Sequence, residues 1–228
     1  MSMDSETNSS PFILLFELEG AALPAREKLF AAAKAVLGEA GIELNEHVFA
    51  RYCKSSAPAM VAEQVVNALG QGKLDRDAAD KIITTYLASM KSDGLSVHTA
   101  FHGLIDESTK RGMKAAALSA LPEDIARSAL AKSGLASRGV ELILFPEDER
   151  HFPRTECWLR HPRSLNKSAR ACIAVAGTQD AGKSALASGM RCIVVPDQFT
   201  SHQDFSGVDA VLDGSDDAPL NELLDAIT

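Results

Sequence analysis

The stretch from Pro11 to Leu23 (PFILLFELEGAAL) constrains this chain more than any other. Pro11 to Phe16 is an unbroken apolar run, short for a helix and suited to a strand buried on both faces. Glu17 and Glu19 follow, and then Gly20. A strand repeats every two residues, so the two carboxylates are expected to point the same way at its carboxyl end. In an open α/β sheet, ligands bind along that edge.

Beyond Leu23 the apolar period changes to that of helices. Helices are predicted over 25–40, with Leu29, Ala33, Val36 and Leu37 on one face and Gly41 as the stop, and over 45–54, with Asn45 as N-cap. Two more are predicted over 57–69, ended by Gly70 and Gly72, and over 75–90, with Asp75 as N-cap and Ile82, Ile83, Tyr86 and Leu87 as the stripe. Short polar links make residues 25–93 a small helical bundle. Strands and helices then alternate: helix 99–111, strand 112–118 ending at Ser119, helix 122–132, strand 139–145, strand 171–176, helix 180–188, strands 191–195 and 208–212, and helix 220–227. Residues 146–162, rich in charge, His and Pro, carry no predicted element. Helical crossovers between strands imply an α/β fold with a doubly wound, mainly parallel sheet.

This order, headed by the Glu-x-Glu-Gly motif, resembles the haloacid dehalogenase superfamily of phosphohydrolases, in its phosphatase and phosphoglucomutase-like branch. The resemblance covers nearly the whole chain. It implies a Rossmann-like core of residues 11–24 plus 94–228, a four-helix cap of residues 25–93 inserted after the first strand, and a disordered tail of residues 1–10. In that family the opening motif is Asp-x-Asp-Gly-Thr. The first Asp attacks phosphorus, the second is general acid/base, and Mg²⁺ neutralises the phosphate. Here Glu17 and Glu19 stand at the Asp positions and Ala21 at the Thr.

The other family motifs are carried over position by position. Ser119 would meet phosphate at the end of the second core strand, or simply cap a turn. The third motif, a Lys before Pro-x-Pro, has no match in residues 151–155, so His151 or Arg154 would supply the cation unless both are solvated loop residues. The acidic pair of the fourth motif falls on Ala176 and Gly177, which cannot ligate through side chains. Mg²⁺ is the implied cofactor, with Glu17, Glu19 and Asp180 as its ligands, but without its usual anchor; Asp197 is another nearby carboxylate.

Residues 177–184 (GTQDAGKS) also fit the P-loop pattern, after a strand and opening a helix. Alone they would predict ATP or GTP phosphates held by backbone amides and Lys183, with Asp209 or Asp213 near Mg²⁺. The stretch lies late in the chain for such a loop. His98 and His102 have metal-ligand spacing but no acidic partner, and read as structural or surface histidines.

A net charge of −8 and 5% aromatic residues argue against nucleic acid and anionic membranes as partners. No run is long enough to span a membrane, and the first apolar run lacks a basic leader. Four cysteines without a Cys-x-x-Cys pair read as buried thiols in a reducing compartment, so the expected location is cytoplasmic. Three functions follow. The first is a catalytically impaired or inactive hydrolase-like protein binding a small phosphorylated molecule or a protein partner, with a homodimer through the first helix as one form. The second is an active Mg²⁺-dependent phosphohydrolase with Glu17 as nucleophile, Glu19 as acid/base, Ser119 on the phosphate and His151 or Arg154 as cation. The third is nucleotide binding at Lys183. Glu for Asp displaces a nucleophile by about 1 Å, which can cost about 10²-fold; together with the missing anchor this favours the first.

Overall fold

The computed structural model describes residues 10–70, 72–74, 77–91, 95–145, 151–212 and 220–228. The tail expected over residues 1–9, the N-cap expected at Asp75, and Asp213 lie outside the described residues. The apolar run forms strand β1, Ile13–Glu17, with all five residues buried. Leu14 and Phe16 enter one hydrophobic cluster while Ile13 and Leu15 enter another, as a strand covered on both faces requires.

The four helices predicted over 25–93, termed the cap as the rest is termed the core, follow as α1 (Ala25–Glu39), α2 (Glu46–Ala50), α3 (Pro58–Leu69) and α4 (Ala78–Met90). Gly41, at φ 69°, ends α1 because Gly41 N–H bonds Gly38 O and Ile42 N–H bonds Leu37 O, both at 3.0 Å, a left-handed closure that favours glycine. Asn45 caps α2 by accepting from Val48 N–H at 2.9 Å. The helix is shorter than expected, since residues 51–54 form turns.

The core resumes with α5 (Thr99–Lys110), β2 (Lys114–Ser119), α6 (Glu123–Lys132), β3 (Glu141–Leu144), α7 (Thr155–Ser164), β4 (Cys172–Ala176), α8 (Gln179–Ala187), β5 (Arg191–Val194), β6 (Ala210–Val211) and α9 (Leu220–Ile227). The sheet is parallel in the order β3-β2-β1-β4-β5-β6. The strand order reverses between β1 and β4, and in doubly wound sheets that switch point opens the ligand crevice.

Two expectations need correction. Glu19 is not on the strand: Leu18–Ala22 wind a π-helical turn, closed by Leu23 N–H on Leu18 O at 3.0 Å. Helix α7 (Thr155–Ser164) falls largely within the stretch 146–162 read as irregular. Its polar composition hides it, but Cys157 and Trp158 are fully buried, and Trp158 Nε1–H donates to Ser184 Oγ of α8 at 2.8 Å.

Cap and core meet through an aromatic seam. Phe30 and Phe49 of the cap pack on Phe199 after β5, with ring centroids 5.5 and 5.2 Å away. Each such pair is worth about 0.5–1.5 kcal/mol beyond its buried area. Gln203 Nε2–H also donates to Cys53 O across the seam at 2.7 Å.

Candidate functional site

The carboxyl ends of β1, β2, β4 and β5 bring together Glu17, Glu19, Ser119, Gly177, Thr178 and Asp197, and the cap adds Arg26, Ser56 and Tyr86. Glu17 ends β1 opposite Leu118, one residue before Ser119 ends β2. Glu17, Ser119 and Thr178 are completely buried, and Glu19 is 7% exposed.

On the β2 side, Ser119 Oγ–H donates to Glu19 Oε1, and Leu121 N–H donates back to Ser119 Oγ at 3.2 Å. Burial pushes the Glu19 carboxyl up to about 7; the Ser119 bond opposes this only in part. Above it are Ile83, Tyr86 and Leu87 of α4, with Leu121, Pro122 and Phe152 from the core. The space among them is about 10 Å³ open to a water-sized sphere, about what one water needs. Tyr86 Oη is buried there without a hydrogen-bond partner in the described structure, and burial holds its pKa well above the ordinary value.

On the β4 and β5 side, Glu17 Oε1 accepts from Gly177 N–H at 2.9 Å. Glu17 Oε2 has no hydrogen-bond partner and folds over Gly20, where a Cβ would stand 2.3 Å from it. Burial raises the Glu17 pKa; nearby Ser56, the Arg26 charge and the Gly177 amide offset this incompletely. The Ser56 hydroxyl also pairs with Thr178 Oγ1 at 2.9 Å, tying cap to core. Arg26, from the first turn of α1, donates to Gly20 O through Nη1 and Nη2 at 2.9 and 3.1 Å, and to Asp197 Oδ2 at 2.7 Å. Both side chains of this ion pair are nearly buried, at 7% and 5% exposure. Burial opposes the Arg26 charge, but Asp197 and Glu17 outweigh it and the net shift is upward.

Of the residues expected from sequence, Glu17, Glu19 and Ser119 converge, Glu19 from the π-turn. His151 is exposed, Arg154 is the exposed N-cap residue of α7, and Asp180 is exposed in the first turn of α8. All three are exposed, whereas Glu17 and Glu19 are buried. Asp180 fails as a metal ligand because the helix starts at once after Thr178, turning residue 180 outward. The P-loop reading fails for the same reason. Gln179 to Ala187 is helix, and the amides such a loop would offer to phosphate already serve protein oxygens: Gly177 N–H on Glu17, Gln179 N–H on Gln203 Oε1, Ala181 N–H on Thr178 Oγ1 and Gly182 N–H on Thr178 O. His98 precedes α5 with Nε2 buried and unpartnered, and burial lowers its pKa. The four cysteines form no disulfide and are buried.

The residues present do not fit Mg²⁺. Among the described residues no three His, Cys, Asp or Glu side chains group as metal ligands. A Cβ on Gly177 would stand 1.7 Å from Gly20 O and 2.8 Å from Arg26 Nη2, so position 177 admits no ligating side chain. Sequence reasoning missed Arg26. Its signal was available: Arg26 lies three and seven residues before Leu29 and Ala33, a charge placed on the apolar stripe.

No protein-family model matches the sequence, and no curated protein matches it. Solved structures do match in fold. CbbY from Rhodobacter sphaeroides in complex with phosphate is 15% identical, with 88% of this chain and 93% of that one covered and a TM-score of 0.68. A HAD family hydrolase from Deinococcus radiodurans R1 with bound phosphate and sodium is 19% identical, with 96% of each chain covered and a TM-score of 0.69. β-Phosphoglucomutase from Clostridium difficile is 13% identical, with 94% and 97% covered and a TM-score of 0.70.

Proposed function

From a haloacid dehalogenase-like fold of the capped phosphatase and phosphoglucomutase type, we propose that this protein does not hydrolyse phosphate esters and acts by binding. The observation that carries the reading is the sealing of Glu17. The residue at the nucleophile position is completely buried, one oxygen holds the Gly177 amide, and the other is folded over Gly20. Beside Glu19 there is room for about one water. A reacting phosphorus must come within about 3–3.5 Å of its nucleophile. Here neither the space nor the orientation favours that approach.

Charge favours a protein partner over a phosphorylated small molecule. Around the two spaces beside Glu19, the one cationic lining residue described is Arg26, and its charge is shared with Asp197 and Glu17. A phosphate dianion entering there would meet carboxylates without an uncommitted cation. A second copy of the chain through α1 is one form the partner can take. Four buried thiols outside any disulfide support a reducing, cytoplasmic setting; no helix among the described residues is long and apolar enough to cross a membrane.

One observation favours the rival reading of an active hydrolase. With its carboxyl near 7, Glu19 is matched to general acid/base work at neutral pH, with Ser119 orienting it. A broad panel of phosphate esters, with and without Mg²⁺, compared between wild type and Glu17→Ala, decides between them. We expect wild type to stay at the variant's background. Turnover that is lost in Glu17→Ala would overturn the non-hydrolytic reading and install Glu17 as nucleophile.

A further inference from the structure

We infer that the Arg26 guanidinium is the resident cation of this site, a side chain in the place where a divalent metal ion would otherwise be held. The inference deepens the non-hydrolytic reading and shares its premise that the site does not use Mg²⁺. It stands, however, on different atoms.

The first observation is what surrounds the guanidinium. Two of its nitrogens donate to Gly20 O, at 2.9 and 3.1 Å, and Nη1 donates to Asp197 Oδ2 at 2.7 Å. The Glu17 carboxylate lies close enough to raise the Arg26 pKa by its charge. A backbone carbonyl and two carboxylates are hard oxygen donors, the ligand type that Mg²⁺ and Ca²⁺ select. Here they converge on a side chain.

The second observation is the shape at Gly177, the first residue past β4. A Cβ built there would lie 1.7 Å from Gly20 O, 2.4 Å from Gly20 C and 2.8 Å from Arg26 Nη2. Any side chain at 177 would therefore project into the Gly20 carbonyl and the guanidinium. Glycine at 177 is required first by the Gly20 carbonyl, and the Arg26 guanidinium, seated on that same carbonyl, takes the space beside it. Position 177 is also where the resemblance to the phosphohydrolases places a metal-binding carboxylate, so loss of that ligand and arrival of a fixed positive charge coincide in space.

The third observation concerns permanence. A metal ion exchanges with solvent, whereas a buried guanidinium stays charged at every physiological pH and cannot leave. Arg26 is 6% exposed and held from two sides. The carboxylates at the switch point are thus neutralised without any ion from solution.

The test is cation binding, read separately from activity. Loss of the free Mn²⁺ resonance in electron paramagnetic resonance, and the shift of Tm with millimolar Mg²⁺ against a salt control of equal ionic strength, are measured on wild type, Arg26→Ala and Arg26→Lys. Wild type is expected to bind no Mn²⁺ stoichiometrically and to show no Mg²⁺-specific shift. Arg26→Ala, which exposes the carbonyl and both carboxylates to an unfilled space, is expected to lose Tm and recover part of it with Mg²⁺ while taking up Mn²⁺ stoichiometrically. Stoichiometric Mn²⁺ binding by wild type overturns the inference. So does an Arg26→Ala protein that folds but ignores both ions. If Arg26→Ala does not fold, Arg26→Lys decides, because its retained charge is expected to leave the protein indifferent to cations and saturable Mn²⁺ uptake would overturn the inference. Ester hydrolysis in the same samples separates the two proposals. Turnover by wild type without metal uptake overturns the non-hydrolytic reading alone, and metal uptake by wild type without turnover overturns the resident cation alone.

Discussion

On the β2 side of the site the groups can be neutral: a carboxyl near 7, a serine hydroxyl, a tyrosine hydroxyl and an apolar roof. On the β4 and β5 side stands the permanent charge of Arg26, between Asp197 and Glu17. Both sides are equally dry, so burial alone does not separate them. The separation comes from what each carboxylate meets. Asp197 meets a guanidinium that cannot lose its proton, so a second buried charge balances the first. Glu19 is desolvated by burial and meets a hydroxyl that stabilises its ionised form too little and a second carboxyl, Glu17, that disfavours it, so it takes up a proton instead. The same strand end thus supports two ways of burying an acid.

The comparison breaks most visibly when each side loses one partner. Asp197→Ala leaves Arg26 buried with too little opposing charge, and breaking a buried pair typically costs about 3–5 kcal/mol. Ser119→Ala removes a hydroxyl from a carboxyl that can remain protonated, at about 1–3 kcal/mol. Urea denaturation of both variants near neutral pH is expected to give the larger loss for Asp197→Ala. Equal losses would mean that the two sides are not held differently.

The pH dependence sharpens it further. The folded chain raises Glu19 from 4.5 to about 7, so between those values the folded state keeps a proton that the unfolded state releases. The stability this group contributes is fully present below 4.5 and is lost as pH rises through about 7. The span corresponds to about 3 kcal/mol. Glu17, raised by its own burial, acts in the same direction. His98, lowered by burial from 6.5, acts oppositely at acid pH, where its proton binds the unfolded chain first. Comparing wild type with Glu19→Gln at about pH 5 and about pH 8 cancels the other groups. Wild type is expected to lose more stability across that range than the variant; an identical pH dependence would remove Glu19 as the neutral-range group.

Much of this was legible in the chain. The apolar run that became β1, the left-handed glycine after α1 and the alternation behind the sheet order all follow from periods and caps. The two glutamates at the strand end were legible as a pair. Their different environments were not, because the π-turn that carries Glu19 off the strand depends on Gly20 passing beneath the Glu17 carboxyl. Arg26 was hidden by habit: in an alanine-rich amphipathic helix a charge one turn before the stripe reads as solvated. What turns the guanidinium inward is the Gly20 carbonyl and Asp197, the latter 171 positions away in sequence. Helix α7 was hidden by composition, since three buried side chains, Cys157, Trp158 and Pro162, anchor an otherwise polar segment.

The smallest effect is expected where the sequence signal was most specific. The residues 177–184 match a phosphate-binding loop, but Lys183 is an exposed residue inside α8. A phosphate-binding loop works by offering unbonded amides around a concavity. Here the Gly177 amide is bonded to a carboxyl oxygen of Glu17 and so is not open to phosphate, and the next free amides are consumed by Gln203 and Thr178. Lys183→Ala is therefore expected to change stability by no more than about 0.5 kcal/mol, as exposed substitutions usually do. Calorimetric titration with ATP or GTP is expected to show no saturable heat for wild type or variant. Nucleotide binding by wild type that disappears in Lys183→Ala would mean that α8 unwinds at its first turn to free those amides, and that the charged side of the site can be opened from β4.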